Sequence, residues 1–205
     1  MNPSFIFRPE TPDDYAEVEV LTREAFWNVY QPGCVEHYLL HVLRGDPAVV
    51  EALNQVCVLD GEIIGHIFFT RARVIDAAGN DHPLLSFGPI SVRPTYQRQG
   101  IGSRLIESSL APAAALGFDA LAIEGNPAYY GRFGFRPASA FGITAEDGSS
   151  FDALMALPLR PGGLDGISGR LIHPAAFSEL PAEAVDAFDA RFPGKEKLRL
   201  PGQLR

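Results

Sequence analysis

Cysteine is scarce in this 205-residue chain, which holds only Cys34 and Cys57. The pair matches no zinc-ligand spacing and makes no disulfide framework, so a reducing cytoplasm is the simplest setting. Positive charge is also short: 17 Lys and Arg stand against 25 Asp and Glu, leaving a net charge of −8. That balance lacks the basic face that displaces counterions from phosphates, which argues against a general nucleic-acid binder. No apolar run approaches membrane-spanning length, and the opening MNPSFIFRPE lacks a basic leader followed by an apolar core. Gly-Lys-Ser and Gly-Lys-Thr are absent, which excludes a Walker loop. Neither an internal repeat nor a low-complexity tract is present.

What remains is a globular composition, 46% hydrophobic and 20% charged, long enough for one well-buried core. Residues 4–8 read as a strand. Thr11-Pro12-Asp13-Asp14 reads as a helix start leading to about Phe26, with Thr11 as N-cap. Pro32 and Gly33 break the pattern before a second apolar-periodic stretch through Tyr38, Leu39, Val42 and Leu43. Residues 56–75 form the clearest hairpin, turning at Asp60-Gly61. A third strand covers about 84–92, and a helix over 101–116 ends at Gly117, with a kink or early break near Ser108 to Ser109 expected from Pro112. A strand at 118–124, a short helix from Ala128 to Phe133, strands near 151–159 and 169–173, and an amphipathic helix over 174–192 complete the order. A basic tail that is poorly ordered or partner-bound is expected after it. This order implies an α/β fold with a mixed sheet and helices on both faces.

One stretch carries chemistry. In YQRQGIGSRLI, residues 96–106, Gln97, Gly100 and Gly102 form a Gln-x-x-Gly-x-Gly turn at a helix start. Glycine lets backbone approach a ligand, and the first helical N–H groups are free donors reinforced by the helix dipole, so a pyrophosphate site is expected. A dinucleotide fingerprint is the competing assignment, with Glu124 at roughly the spacing of a ribose-binding carboxylate. Against it, Leu105 stands at the third glycine position, RPTYQRQ separates strand from glycines, and residues 1–83 precede the unit.

Two motifs together carry a resemblance. GPISVRPTYQRQGIGSRLI (88–106) and NPAYYGRFGF (126–135) resemble, in order and spacing, the core blocks of the GCN5-related N-acetyltransferase (GNAT) superfamily, and within it a bacterial subgroup with a Tyr-Tyr-Gly-Arg-Phe-Gly-Phe segment. The resemblance spans about 1–173, read as the acetyltransferase domain, with 174–205 a helix and tail extending it. It implies the GNAT fold with a mostly antiparallel sheet, acetyl-CoA as cosubstrate, an amine-bearing acceptor and no metal. Homodimers are common in the family, and the C-terminal segment is a candidate interface.

The resemblance also assigns residues. Pantetheine enters where the strand ending at Ile90, Ser91 and Val92 parts from the strand ending near Glu124, and backbone groups of Ile90 and Val92 bind its amides like an added strand. Residues Gln97, Arg98, Gln99, Gly100, Ile101, Gly102 and Ser103 hold the pyrophosphate. Arg98, Arg93 and Arg104 are candidates for the outer phosphate, and Asn126 stands near the pantetheine arm. Tyr130 takes the place of the tyrosine beside the CoA sulfur, where a phenol stays protonated at neutral pH and serves as proton donor.

The expected route is direct attack by a deprotonated amine, without an acyl-enzyme. Glu124 is the nominal base, since a lysine-like amine is almost wholly protonated at neutral pH. A small-molecule or amino-acid amine is favoured over a protein lysine, because an acidic chain suits a cationic acceptor. The alternative from another class is a non-catalytic acyl-CoA-binding sensor. His37, His41 and Glu36 either line an acceptor pocket or form a solvated face, and His66 is read as structural or at the surface.

Overall fold

A computed structural model describes residues 5–203. In chain order its regular elements are β1 (Ile6–Pro9), α1 (Tyr15–Phe26), α2 (Glu36–Leu43), β2 (Gln55–Leu59), β3 (Glu62–Ile75), β4 (Asp81–Val92), α3 (Ile101–Ala115), β5 (Ala120–Glu124), α4 (Pro127–Tyr130), β6 (Arg136–Pro137), β7 (Ile143–Thr144), β8 (Leu154–Pro158), β9 (Gly169–Ile172) and α5 (Ala182–Asp189). Backbone contacts group the described residues into two compact units, 5–68, 89–105 and 175–203 in the first and 69–88 and 106–174 in the second. β3, β4 and α3 supply residues to both.

In the first unit β1 pairs antiparallel with β2, which pairs antiparallel with β3. The β2–β3 turn has positive φ at both Asp60 (50°) and Gly61 (88°), as a tight two-residue hairpin turn requires. Val18 and Leu21 of α1 pack with Leu39, Leu40 and Leu43 of α2 and with Val56, Ile63 and Phe68 of the strands in one buried cluster. The helical 3–4 spacing places the helix side chains on one face, and the register shift between Cys57 and Val58 brings Ile63 and Phe68 of β3, an odd number of residues apart, to the same side. Ahead of α1, Arg8 pairs with the buried Asp14 at 2.7 Å, and Asp14 accepts from the Thr11 N–H at 2.7 Å. Those donors hold the Asp14 carboxyl well below its ordinary range, with the Arg8 hydrogen bonds the largest cause.

In the second unit β4 neighbours β5 in parallel register at Leu85↔Leu121, β5 pairs antiparallel with β8, and β8 with β6. β9 pairs antiparallel with β3 and in parallel with β7. Val74, Leu84, Ala120, Ala122, Ile143 and Ala156 form its core, each fully buried. The sheet is therefore mixed and mostly antiparallel.

Several expectations change in detail. α3 continues through Pro112 to Ala115 without a break, and Gly117 follows it at φ 90°. The single helix expected over 174–192 is a 3-10 turn at Ala175–Phe177 and then α5, which starts only after Pro181 because that residue sets the N-terminal boundary. The two-residue strands β6 and β7 are too short for a period to announce. In the described part of the tail, Lys195 pairs with Glu24 at 2.8 Å and Lys197 with Asp186 at 2.6 Å, both within the first unit. The start of the strand expected at 4–8 lies partly outside the described residues.

Candidate functional site

The chain leaves β4 through a 3-10 turn, Pro94–Tyr96, and reaches the glycine turn in the first unit. Arg98 and Gly100 take positive φ values of 61° and 82°, whereas Gln99 between them does not. Such alternation turns successive N–H groups toward one side and makes an anion-binding concavity. A Cβ at Gly100 would meet nothing within 4 Å, so this backbone borders open space. Gly100 caps α3 without a side chain, and the first helical bond runs from Arg104 N–H to its carbonyl at 3.0 Å. The N–H groups of Ile101, Gly102 and Ser103 precede that bond and have no intrahelical acceptor. These donors and the helix dipole fit a pyrophosphate.

Neighbouring side chains brace the turn rather than reach into it. Gln97 Nε2 donates to the Val92 carbonyl at 3.1 Å and Gln99 Nε2 to the Thr95 carbonyl at 3.3 Å. Ile101 is 1% exposed, and a Cβ on Gly65 of β3 would lie 2.8 Å from its Cγ2, so glycine at 65 lets α3 sit close on the strands. These positions therefore offer a ligand their backbone. The three arginines now separate. Arg93 donates to the Ile63 carbonyl at 3.1 Å, and Arg104 stacks on Phe7 with its guanidinium carbon 4.6 Å from the ring centroid. Arg98 is exposed and makes no hydrogen bond or ion pair among the described residues.

At the end of β4, Ile90 and Val92 are half-buried while Ser91 between them is fully buried. Ser91 Oγ lies 2.9 Å from Thr22 Oγ1 of α1, both inaccessible to solvent. The Ser91 side chain thus ties the strand to the helix, and Thr22 is a contributor that periodicity had placed only as a helical residue.

The other expected residues lie in the second unit. Glu124 ends β5 in an exposed position, and partial burial raises its carboxyl above the ordinary value. Asn126 is the N-cap of α4: its Oδ1 accepts from Ala128 N–H at 2.9 Å, and Pro127 follows at the first helical position. Tyr130 closes that short helix with its ring 5.9 Å from Phe87, 5.8 Å from Phe135 and 5.0 Å from Tyr129. Gly125 admits the ring, since any Cβ there would overlap it. Tyr129 instead faces Phe133 and the Arg132 guanidinium. Of the two tyrosines, Tyr130 is the one set against the strand end that carries Glu124.

The histidines have structural partners. His37 is fully buried between Phe188 and Phe192, and its Nε2 lies 3.2 Å from Asp189. His41 pairs with Glu19 at 3.0 Å, and Glu36 accepts from the Val35 N–H at 3.0 Å at the start of α2. His66 is buried with Nε2 3.3 Å from Glu10, whose partner Arg44 is 2.6 Å away. No group of three His, Cys, Asp or Glu side chains among the described residues is placed to hold a metal ion, and no described helix is long and apolar enough to cross a membrane.

Comparison with known proteins agrees with this geometry. The sequence model of the acetyltransferase (GNAT) domain matches residues 52–137, which include the hairpin, the glycine turn and the Tyr130 segment. The N-acetyltransferase YhbS of Escherichia coli K12 is 28% identical over 165 residues, covering 80% of this chain and 93% of the relative. The crystal structure of E. coli YhbS in complex with CoA superposes with a TM-score of 0.78 at 26% identity, over 88% of this chain and 96% of that one. A GNAT acetyltransferase from Brucella melitensis in complex with acetyl-CoA gives 0.70 at 29% identity, over 85% and 99%. The chain carries a GNAT acetyltransferase domain and is a homologue of the N-acetyltransferase YhbS.

Proposed function

We propose that this protein transfers an acetyl group from acetyl-CoA to a primary amine by direct attack. The carrying observation is the turn at 97–103, where two positive-φ residues, open space at Gly100 and the free N–H groups at the start of α3 form an anion cradle. Acetyl-CoA supplies the activated acyl group. The backbone of Ile90 and Val92 binds its pantetheine amides, the N–H groups of 97–103 hold its pyrophosphate, and Arg98 meets the outer phosphate because it is the arginine with no competing partner. Asn126 adjoins the pantetheine arm. Tyr130 donates a proton to the departing sulfur. Glu124 accepts the proton of the incoming amine, a role favoured by a carboxyl raised toward neutral pH. The acceptor is a small-molecule or amino-acid amine, suited by its cationic charge to a chain of net charge −8. Residues 1–173 form the acetyltransferase domain and 174–205 its extension.

The test is thermal unfolding with acetyl-CoA, CoA or NADH, followed by an amine screen. A ligand bound only to the native state at one hundred times its Kd adds about 2.7 kcal/mol. Stabilisation by acetyl-CoA and CoA but not NADH, followed by amine-dependent release of CoA, is the expected result. Stabilisation by NADH, or none by either CoA species, would overturn it. Tyr130→Phe is expected to lower kcat by about 100-fold or more while leaving acetyl-CoA affinity unchanged.

A further inference from the structure

The connection between α1 and α2 is closed by a segment from the far end of the chain. Asn28, at φ 60°, is the junction. Its N–H donates to the Gly33 carbonyl at 2.8 Å, and its Oδ1 accepts from the N–H groups of Gly33 at 2.8 Å and Leu198 at 3.0 Å. Its Nδ2 donates to the Glu196 carbonyl at 3.0 Å, and its own carbonyl accepts from Gln203 Nε2 at 3.0 Å. Every polar group of one residue is therefore engaged, with two bonds closing the loop on itself and three fastening residues 196–203 across it. Trp27 adds a bond from its indole N–H to the same Glu196 carbonyl at 2.9 Å. A left-handed backbone costs a non-glycine residue free energy, and here that cost maintains a side chain that no glycine could replace.

The chain has two lysines, Lys195 just before this strap and Lys197 within it. Each is paired with an acid of the first unit, and the Lys197 stem passes 3.2 Å from where a Gly33 Cβ would stand. Around the junction the loop presents Val29 and Tyr30, and the strap presents Leu198 and Leu200, all four exposed. The loop begins where α1 ends, and Thr22, whose hydroxyl touches Ser91 on the strand assigned to the acyl donor, lies five residues before Trp27. At 1.5 Å per residue this is about 8 Å along the helix, so the loop and its strap begin close to that strand.

We infer that Asn28 is a positioning residue: it latches the C-terminal strap over the α1–α2 connection, and the latched loop sets the affinity for the amine acceptor. This rests on the acetyltransferase assignment above. In the latched state the loop keeps one conformation, and with the strap released it samples many, so an acceptor must order it on binding.

Two full-length variants test it from opposite sides. Asn28→Gly keeps the backbone conformation and removes the side chain, whereas Gln203→Ala loosens the strap and leaves the loop's own bonds to Gly33 intact. Both are expected to speed tryptic cleavage at Lys195, Lys197 and Arg199 and to raise the acceptor KM by about five-fold or more, with the acetyl-CoA KM unchanged. Asn28→Asp, which keeps the acceptor oxygen and loses the Nδ2 donor, should fall between wild type and Asn28→Gly. Faster cleavage with an unaltered acceptor KM in both variants would overturn the inference, as would unchanged cleavage. If the wild-type protein acetylates no amine, the function assignment has failed instead, and the cleavage rates still report whether the latch exists.

Discussion

The ring of Tyr130 occupies the space that any side chain at Gly125 would need, so a glycine at the end of β5 fixes where the phenol stands. Gly125→Ala therefore forces the ring away from the strand or moves the strand itself. Overpacking of this kind costs about 1–3 kcal/mol. The expected outcome is a kcat loss comparable to that of Tyr130→Phe, with acetyl-CoA affinity retained, read by steady-state kinetics beside calorimetric titration. A kcat unchanged in Gly125→Ala would show that the ring position carries no part of the chemistry.

Arg98 and Gly100 share left-handed backbone but should respond oppositely to substitution. Replacing Arg98 with glycine relieves a conformational cost of about 1 kcal/mol and removes a cation. Thermal stability should rise while acetyl-CoA Kd increases, and the salt dependence of binding should weaken. Gly100→Ala instead adds that strain and fills the open space beside the backbone, so stability and affinity should both fall. Loss of stability in Arg98→Gly would mean that its guanidinium has a structural partner.

The features that could be read in the chain are those set by local chemistry. Asp60-Gly61 announces its hairpin, Gln97 to Gly102 its tight glycine turn, and Gly117 the end of α3, because each depends on backbone freedom within a few residues. Asn28 could not be read this way. Its partners Glu196, Leu198 and Gln203 are about 170 residues away, and two of its bonds go to or from backbone groups at 196 and 198 that do not depend on the residue type there. His66 was similarly opaque, because its burial follows from Glu10 and Arg44 arriving from other elements. Of the candidate site, the turn and the Tyr130 helix were legible as motifs, but the role of Ser91 as a tie to Thr22 required the helix to be placed.

That tie gives a third prediction. A buried hydroxyl left alone costs about 1–3 kcal/mol, whereas replacing both partners by apolar groups of similar shape is nearly neutral. Thr22→Val and Ser91→Ala should each destabilise, and the double variant should be less destabilised than their sum. The reading comes from denaturant unfolding in a double-mutant cycle. Simple additivity would show that the 2.9 Å contact carries no coupling.

Acid should destabilise the fold in a window set by three histidines, His37, His66 and His173, each pushed below its ordinary value by burial. Burial pushes His37 down to about 4 from 6.5, opposed by Asp189 and assisted by Arg23 and Lys197, and burial alone pushes His173 to about 4. Between those values the unfolded chain binds protons that the folded chain refuses. The stabilisation is therefore complete above about 6.5 and is lost as pH falls toward 4, amounting to a few kcal/mol per histidine. Asp14 contributes only at the acid end of this window, where the unfolded carboxyl begins to take protons that the folded one, held low by Arg8, refuses. His37→Phe should pack between Phe188 and Phe192 while Arg23 keeps Asp189, paired at 2.6 Å, so the fold survives. Urea unfolding of this variant between pH 6.5 and 4 should show a smaller slope than the wild type, the remainder belonging to His66 and His173. An undiminished slope would place the acid sensitivity outside the His37 cluster.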